Sequence, residues 1–144
     1  MKWEDTVTIE APAERVWRLN IDVTNWPTVT PTTMHKVERL DDGPFQVGSS
    51  ARIKQPAQVP AVWTVTRFEA GREFSWQTRR MGLTMTGTHV LQDLGSSCRN
   101  TLIIEVTGPG SGIFGRILGP LLRRTIATEN ACFKKEAERV DRVT

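Results

Sequence analysis

Between Val37 and Thr107 six short runs of alternating apolar and polar residues follow one another, and beyond them lies a single helix-forming tail. The runs are Val37–Leu40, Gly48–Gln55, Ala61–Phe68, Glu73–Thr78, Leu83–Leu91 and Arg99–Thr107. Turn-forming segments such as Asp41-Asp42-Gly43-Pro44, Glu69-Ala70-Gly71-Arg72 and Asp93-Leu94-Gly95-Ser96 separate them. Connections this short leave no room for crossover helices, so the strands form an antiparallel meander. A seventh strand comes earlier, where Trp3, Asp5, Val7 and Ile9 alternate with Glu4, Thr6, Thr8 and Glu10. A sheet with one apolar face must cover it, and one long helix is available to do so. One helix does not fill the hollow of a curved seven-stranded sheet, and the volume left over is where a ligand would sit.

Ala11-Pro12-Ala13-Glu14 opens a short helix whose apolar side is Val16, Trp17 and Leu19. A second short turn over 21–26 is expected to stop at Pro27, with 28–33 as loop. Gly108-Pro109-Gly110-Ser111-Gly112 ends the sheet, and the tail reads as helical to near residue 140, with Gly119-Pro120 expected to break it in two. Without repeats, linkers or low-complexity segments, residues 1–144 read as one domain. The expected class is α+β: a seven-stranded curved antiparallel sheet around a long C-terminal helix, with two short helices after the first strand.

Charges enter MKWEDTVTIE too early for a secretory signal, and no run of about 18 apolar residues offers a membrane span. With two cysteines, Cys98 and Cys132, no disulfide framework is expected, and a reducing cytoplasm is the expected home. Residues 1–110 balance 12 basic against 12 acidic side chains, whereas residues 111–144 carry 7 basic and 4 acidic ones, the whole net charge of +3. A basic tail can attract nucleic acid or anionic lipid, but signs that alternate along a helix are the ordinary pattern of a solvated face. No nucleic-acid partner is expected.

On a 100° wheel of residues 121–140, one broad face collects Leu122, Thr125, Ile126, Glu129, Cys132, Phe133, Glu136 and Val140. Arg123, Arg124, Asn130, Lys134, Lys135 and Glu138 fall toward water. Thr125 and Glu129 stand near the centre of the apolar stripe, where a carboxylate is costly unless paired, hydrogen-bonded or facing a wet cavity. Glu129 either pairs with an inward basic residue, Arg52 for example, or reaches solvent at a pocket mouth, or lines the cavity and meets a polar group of the ligand. Arg52 competes with Ala51 and Ile53 for the inward face of its strand.

Strand parity supplies the opposite wall. Trp63 and Val65 share a side, as do Phe74 and Trp76, and as do Met85, Gly87, His89 and Leu91. Facing inward, these sets make an aromatic wall with room at Gly87, and Trp26 on the early loop is a candidate for the entrance. His89 is the natural acid/base candidate, though a histidine on an apolar strand face also has a purely structural reading. The candidate cavity residues are Trp63, Val65, Phe74, Trp76, Met85, His89, Leu122, Thr125, Glu129 and Phe133.

Gly110-Ser111-Gly112-Ile113-Phe114-Gly115 matches G-x-G-x-x-G, yet no second parallel strand can follow it, so it reads as a strand-to-helix hinge rather than a dinucleotide site. The scattered His and Cys residues have no metal-ligand spacing, and neither a G-x-S-x-G elbow nor a P-loop occurs. No metal or other cofactor is expected.

Three segments together resemble the START-like superfamily of polyketide cyclases/dehydrases and lipid-transfer proteins. They are TVTIEAPAERVWRLNIDVTNWPTVTP, VGSSARIKQPAQVPAVWTVTRFEAGREFSWQT and THVLQDLGSSCRNTLIIEVTGPGSGIFGRILGPLLRR, covering essentially the whole chain. The resemblance implies a helix-grip fold with a cavity for sterols, lipids, polyketides or other largely apolar molecules. Its motifs specify the fold more than the activity. The implied function is binding or carrying a small apolar molecule, as a monomer or homodimer. The alternative is a cyclase/dehydratase using the same cavity, with Glu129, His89 and Arg52 moving protons or holding an enolate. A third reading is a protein-interaction module working through the basic helix surface.

Overall fold

The computed structural model describes residues 1–56 and 58–143, with side chains described up to Arg139 at the C-terminal end, so Val140 of the wheel lies outside the described side chains. The elements are β1 (Lys2–Ile9), α1 (Ala13–Ile21), a 3-10 turn (Val23–Asn25), α2 (Trp26–Val29), β2 (Lys36–Arg39), β3 (Ser50–Lys54), β4 (Ala61–Glu69), β5 (Glu73–Arg80), β6 (Leu83–Asp93), β7 (Cys98–Thr107) and α3 (Ser111–Val143). One seven-stranded sheet has the order β1-β7-β6-β5-β4-β3-β2, antiparallel throughout. The chain therefore leaves one sheet edge at β1, crosses beneath the sheet through the short helices, and re-enters at the other edge. That crossing places α1 against β6, β7 and α3 and closes one end of the hollow.

A two-residue turn decides one boundary. β5 runs two residues past its expected end because Met81 (φ 54) and Gly82 (φ 81) form the tight reversal into β6. Both central residues adopt positive φ, which matches the twist of the flanking strands. The carbonyl of Gly82 lies where a Cβ on Gly108 would sit at 2.6 Å, so only glycine fits in the segment leading to α3. The register of β4 on β5 shifts between Val65 and Arg67, an irregularity that bends the sheet.

Two expectations about proline are corrected. Pro27 does not stop the second turn but occupies the first turn of α2, where its missing N–H is not needed. Likewise α3 is not broken at Gly119-Pro120 and continues unbroken from Ser111 to Val143. Proline forfeits one helical hydrogen bond, and the docking of that stretch on β1 holds the helix together. Gly115 and Gly119 present a flat groove to the Trp3 indole, whose Cζ2 would lie 2.9 Å from a Cβ on Gly119. Farther along, Asn130 reaches Asp5, Lys134 donates to the Thr8 carbonyl at 2.7 Å, and Glu138 accepts from the Glu10 N–H at 3.0 Å. The helix leans on β1 and β7 along its length. It does not lie centrally under the sheet, and the side beneath β3–β6 is left to other groups.

Candidate functional site: the cavity between sheet and helix

Because α3 leans to one edge, a cavity of about 260 Å³ remains between it and the middle of the sheet. Trp63, Trp76, Met85 and Gly87 form the sheet-side wall, and Leu122, Thr125, Ile126 and Glu129 form the helix side. Trp26, Thr33 and Met34, from the crossing segment, close one flank; Gln55, Pro56, Gln58, Arg80 and Leu121 stand toward the exposed end. Arg80 ties that end together by donating to the carbonyls of Val59 and Pro60 at 3.2 and 3.0 Å.

The wall is aromatic for a local reason. A Cβ on Gly87 would lie 3.4 Å from Trp76 and 3.7 Å from Trp63, so the absent side chain makes room for both indoles. Trp76 in turn meets Trp26 edge-on at 5.3 Å between ring centres and Trp63 at 5.9 Å. Three tryptophans thus share the cavity surface.

Seven of the ten sequence candidates border the cavity: Trp63, Trp76, Met85, His89, Leu122, Thr125 and Glu129. Val65, Phe74 and Phe133 do not, and that expectation is corrected. Val65 and Phe74 face inward as parity required and Phe133 as the helix stripe required, but they are packed solid at 2%, 0% and 1% exposure. Trp17 of α1 and Phe45 of the β2–β3 connection stand edge-on to Phe74, so these two segments have filled that part of the hollow. Arg52 is corrected too: it is exposed, because Ala51 and Ile53 take the inward face, and it is no partner for Glu129.

Glu129 is 8% exposed on the cavity wall. Burial raises its pKa from 4.5 to about 7, and the Thr33 hydroxyl pulls in the opposite direction. Near neutral pH the group is therefore divided between acid and carboxylate.

His89 lies flat between two rings, 4.6 Å from Phe74 and 5.2 Å from Trp26. Burial lowers its pKa from 6.5 to about 3, so the imidazole is neutral. Its Nδ1 is 2.7 Å from Asn20 Oδ1. Asn20 donates to Asn100 at 3.0 Å, Asn100 to Asn130 at 2.8 Å, and Asn130 to the Asp5 carboxylate at 2.9 Å. All three asparagines are fully buried.

Sequence reasoning missed this chain and sent Asn130 toward water. The signals were present. Asn100 occupies the inward parity of β7 between Cys98 and Leu102, and Asn20 follows Val16 by four positions on the buried side of α1. Asn130 turns inward because β1 packs beside α3 and extends the buried arc of the helix past the stripe drawn from apolar residues alone. Cys132, expected to be buried, is half-buried instead.

No cluster of three metal-ligating side chains occurs among the described residues, and no described helix is long and apolar enough to cross a membrane.

A curved antiparallel sheet that grips one long helix over an aromatic cavity defines a START-like, helix-grip fold. The chain belongs to the polyketide cyclase / dehydrase and lipid transport family, which it matches over residues 1–142. It is similar to the Zhui aromatase/cyclase from Streptomyces sp. R1128, at 23% identity and TM-score 0.77, covering 96% of this chain and 94% of that one. A norcoclaurine synthase point mutant from Thalictrum flavum is similar at 15% identity and TM-score 0.77, over 98% and 96% of the two chains. A START superfamily protein from Mycobacterium smegmatis follows at 15% identity and TM-score 0.72, over 96% and 98%. At such identities these structures speak for the fold alone. No curated protein sequence matches the chain.

Proposed function

We propose that this protein binds or carries a small, largely apolar molecule, aromatic or lipid-like, in the cavity between sheet and helix. The observation that carries the reading is the cavity of about 260 Å³ with three tryptophans and Met85 in its wall. Rigid indole faces suit flat apolar ligands, and a few polar groups among them set orientation. In this reading Trp63, Trp76, Met85 and Leu122 contact the apolar body, while Thr125, Glu129 and His89 meet its polar atoms. No nucleic acid or cofactor takes part, and the protein works in a reducing cytoplasm as a monomer or homodimer.

Calorimetric titration with fatty acids, sterols and two-ring aromatic compounds tests the reading. Saturable one-site binding of at least one class, weakened by Trp76→Ala, is the expected result. Indifference to every class would overturn it.

A second reading, cyclisation or dehydration of the bound molecule, has one specific observation behind it: the Glu129 carboxyl, held near pKa 7. A group divided between its two protonation states can take a proton and return it at neutral pH. In that case Glu129→Gln abolishes turnover of a poly-β-ketone substrate while leaving its affinity intact. Loss of affinity and turnover together would make Glu129 a binding group only.

A further inference from the structure

The chain of asparagines has a fixed direction. A backbone carbonyl can only accept, so the Asn20 side-chain atom 3.0 Å from the Val16 carbonyl is its NH2 group, and its oxygen faces His89. At the far end the Asn130 NH2 is held by the carbonyls of Asn100 and Asp5, both at 3.0 Å. Its oxygen must then accept from Asn100, whose own oxygen accepts from Asn20. Both ends of the chain demand the same orientation of all three amides.

That direction reaches the histidine. Asn20 offers His89 an oxygen, so the His89 Nδ1 must carry the proton. A neutral imidazole has one N–H, which leaves Nε2 as a bare acceptor. Nε2 has no protein partner among the described residues. Among the described residues the one side-chain polar atom that is both sealed off and unpartnered is Arg39 Nε, so the His89 Nε2 opens on the cavity that the residue borders.

We propose that three buried asparagines hold His89 as its Nδ1–H tautomer, making Nε2 a fixed hydrogen-bond acceptor for a hydroxyl or N–H donor on the ligand. The inference rests on the cavity-binding reading and narrows it: a phenol, enol or alcohol fits, and a pure hydrocarbon or an ether leaves Nε2 unsatisfied. An unpaired buried acceptor is costly, so the site discriminates against ligands that cannot donate. Asn20, Asn100 and Asn130 are positioning residues, since they act through the ring they orient. The ring itself is no proton shuttle, because the amide that receives its Nδ1–H cannot pass a proton on.

Calorimetry with 2-naphthol, 2-methoxynaphthalene and naphthalene tests the acceptor. The wild-type protein should prefer the naphthol to its methyl ether by about tenfold, the worth of one neutral hydrogen bond. His89→Phe keeps a ring between Trp26 and Phe74 but removes the acceptor, and should bring the two affinities together, with naphthalene and the ether, freed of the unpaired Nε2, binding more tightly than to the wild type. Equal affinity for naphthol and ether in the wild type overturns the acceptor and leaves the cavity reading standing. Failure of all three probes to bind, with fatty acids and sterols equally inert, overturns both.

Nitrogen-15 NMR of the wild-type imidazole reads the tautomer directly, without relying on a variant that must fold. A protonated Nδ1 and a bare Nε2 are expected, and a protonated Nε2 overturns the proposal. Asn20→Asp retains an oxygen facing His89 and should preserve that pattern. Asn20→Leu should give a tautomer mixture and lose most of the naphthol preference, an effect that a purely structural role for Asn20 would not produce.

Discussion

The two halves of α3 share one helix and do different work. From 111 to 128 there is no acidic side chain; Ile113 and Ile117 are largely exposed, and Leu122 and Thr125 face the cavity. From 129 to 139 the inward side is closed: Asn130, Phe133 and Ala137 are buried, and the helix is bonded to β1 at Asp5, Thr8 and Glu10. A cavity beneath a helix survives only if something else fixes that helix. The second half, held between α1 and β1, supplies most of the fixing, and the first half, seated on β1 at Trp3 through Gly115 and Gly119, stands off only the middle of the sheet.

The sharpest way to break this comparison is to truncate one side chain in each half. Phe133→Ala should destabilise by about 3–5 kcal/mol, because a fully packed ring leaves a void that its neighbours cannot fill. Leu122→Ala should cost only about 1 kcal/mol, since the half-buried methyls it removes already border open space. Urea denaturation measures both. Comparable losses would mean that the first half is packed as tightly as the second.

The next effect is one of pH, at the junction of the halves. Glu129, raised from 4.5 to about 7, keeps in the folded state a proton that the unfolded chain has lost. Its contribution to stability is fully present below pH 4.5 and is lost as pH rises to about 7, roughly 3 kcal/mol in all. His89, lowered from 6.5 to about 3, acts in the other direction: its contribution is fully present above pH 6.5 and is lost as pH falls toward 3. Between pH 4.5 and 6.5 the two slopes oppose each other and their sum is nearly flat. Glu129→Gln should remove one slope, so that the variant gains on the wild type with rising pH and exceeds it most at pH 8. Denaturation midpoints across pH 4–8 that run parallel in both proteins would show that Glu129 is solvated like any surface carboxylate.

How much of this was legible beforehand follows the same division. Strand parity told correctly which side of β4, β5 and β6 faces inward, and the helix stripe told correctly that Thr125 and Glu129 are polar groups on an apolar face. Parity gives a face and not a position along the strand. It could not separate Trp76, on the cavity, from Phe74, two residues away under Trp17 and Phe45. The missing information is where α1 crosses, which depends on contacts between distant segments. Asn130 was misread for a related reason, since a stripe defined by apolar residues cannot register a buried side that is held by amide hydrogen bonds.

A smaller effect tests how the first half is held at all. Gly119→Ala improves helix propensity by about 1 kcal/mol, yet its Cβ would stand 2.9 Å from a rigid, buried indole. The crowding should win, for a net loss of about 1–2 kcal/mol. If thermal denaturation shows the variant to be more stable, Trp3 is free to shift, and the groove of Gly115 and Gly119 is not what seats this half.

The smallest expected effect lies on the outer face of the same half. Ile117 is 71% exposed, one turn from Ile113 at 70%. So exposed a side chain has little apolar area to lose, and glutamine is at least as good a helix former as isoleucine. Ile117→Gln should therefore change stability by less than about 0.5 kcal/mol in urea denaturation. The result is informative because a branched aliphatic stripe beside Arg116, Arg123 and Arg124 is an unusual thing to leave in water. A loss above about 1 kcal/mol that fades on dilution would show a second copy covering the stripe, with apolar burial linked to association. The standing-off half would then be held from both sides, and its contrast with the sealed half would hold for the single chain alone.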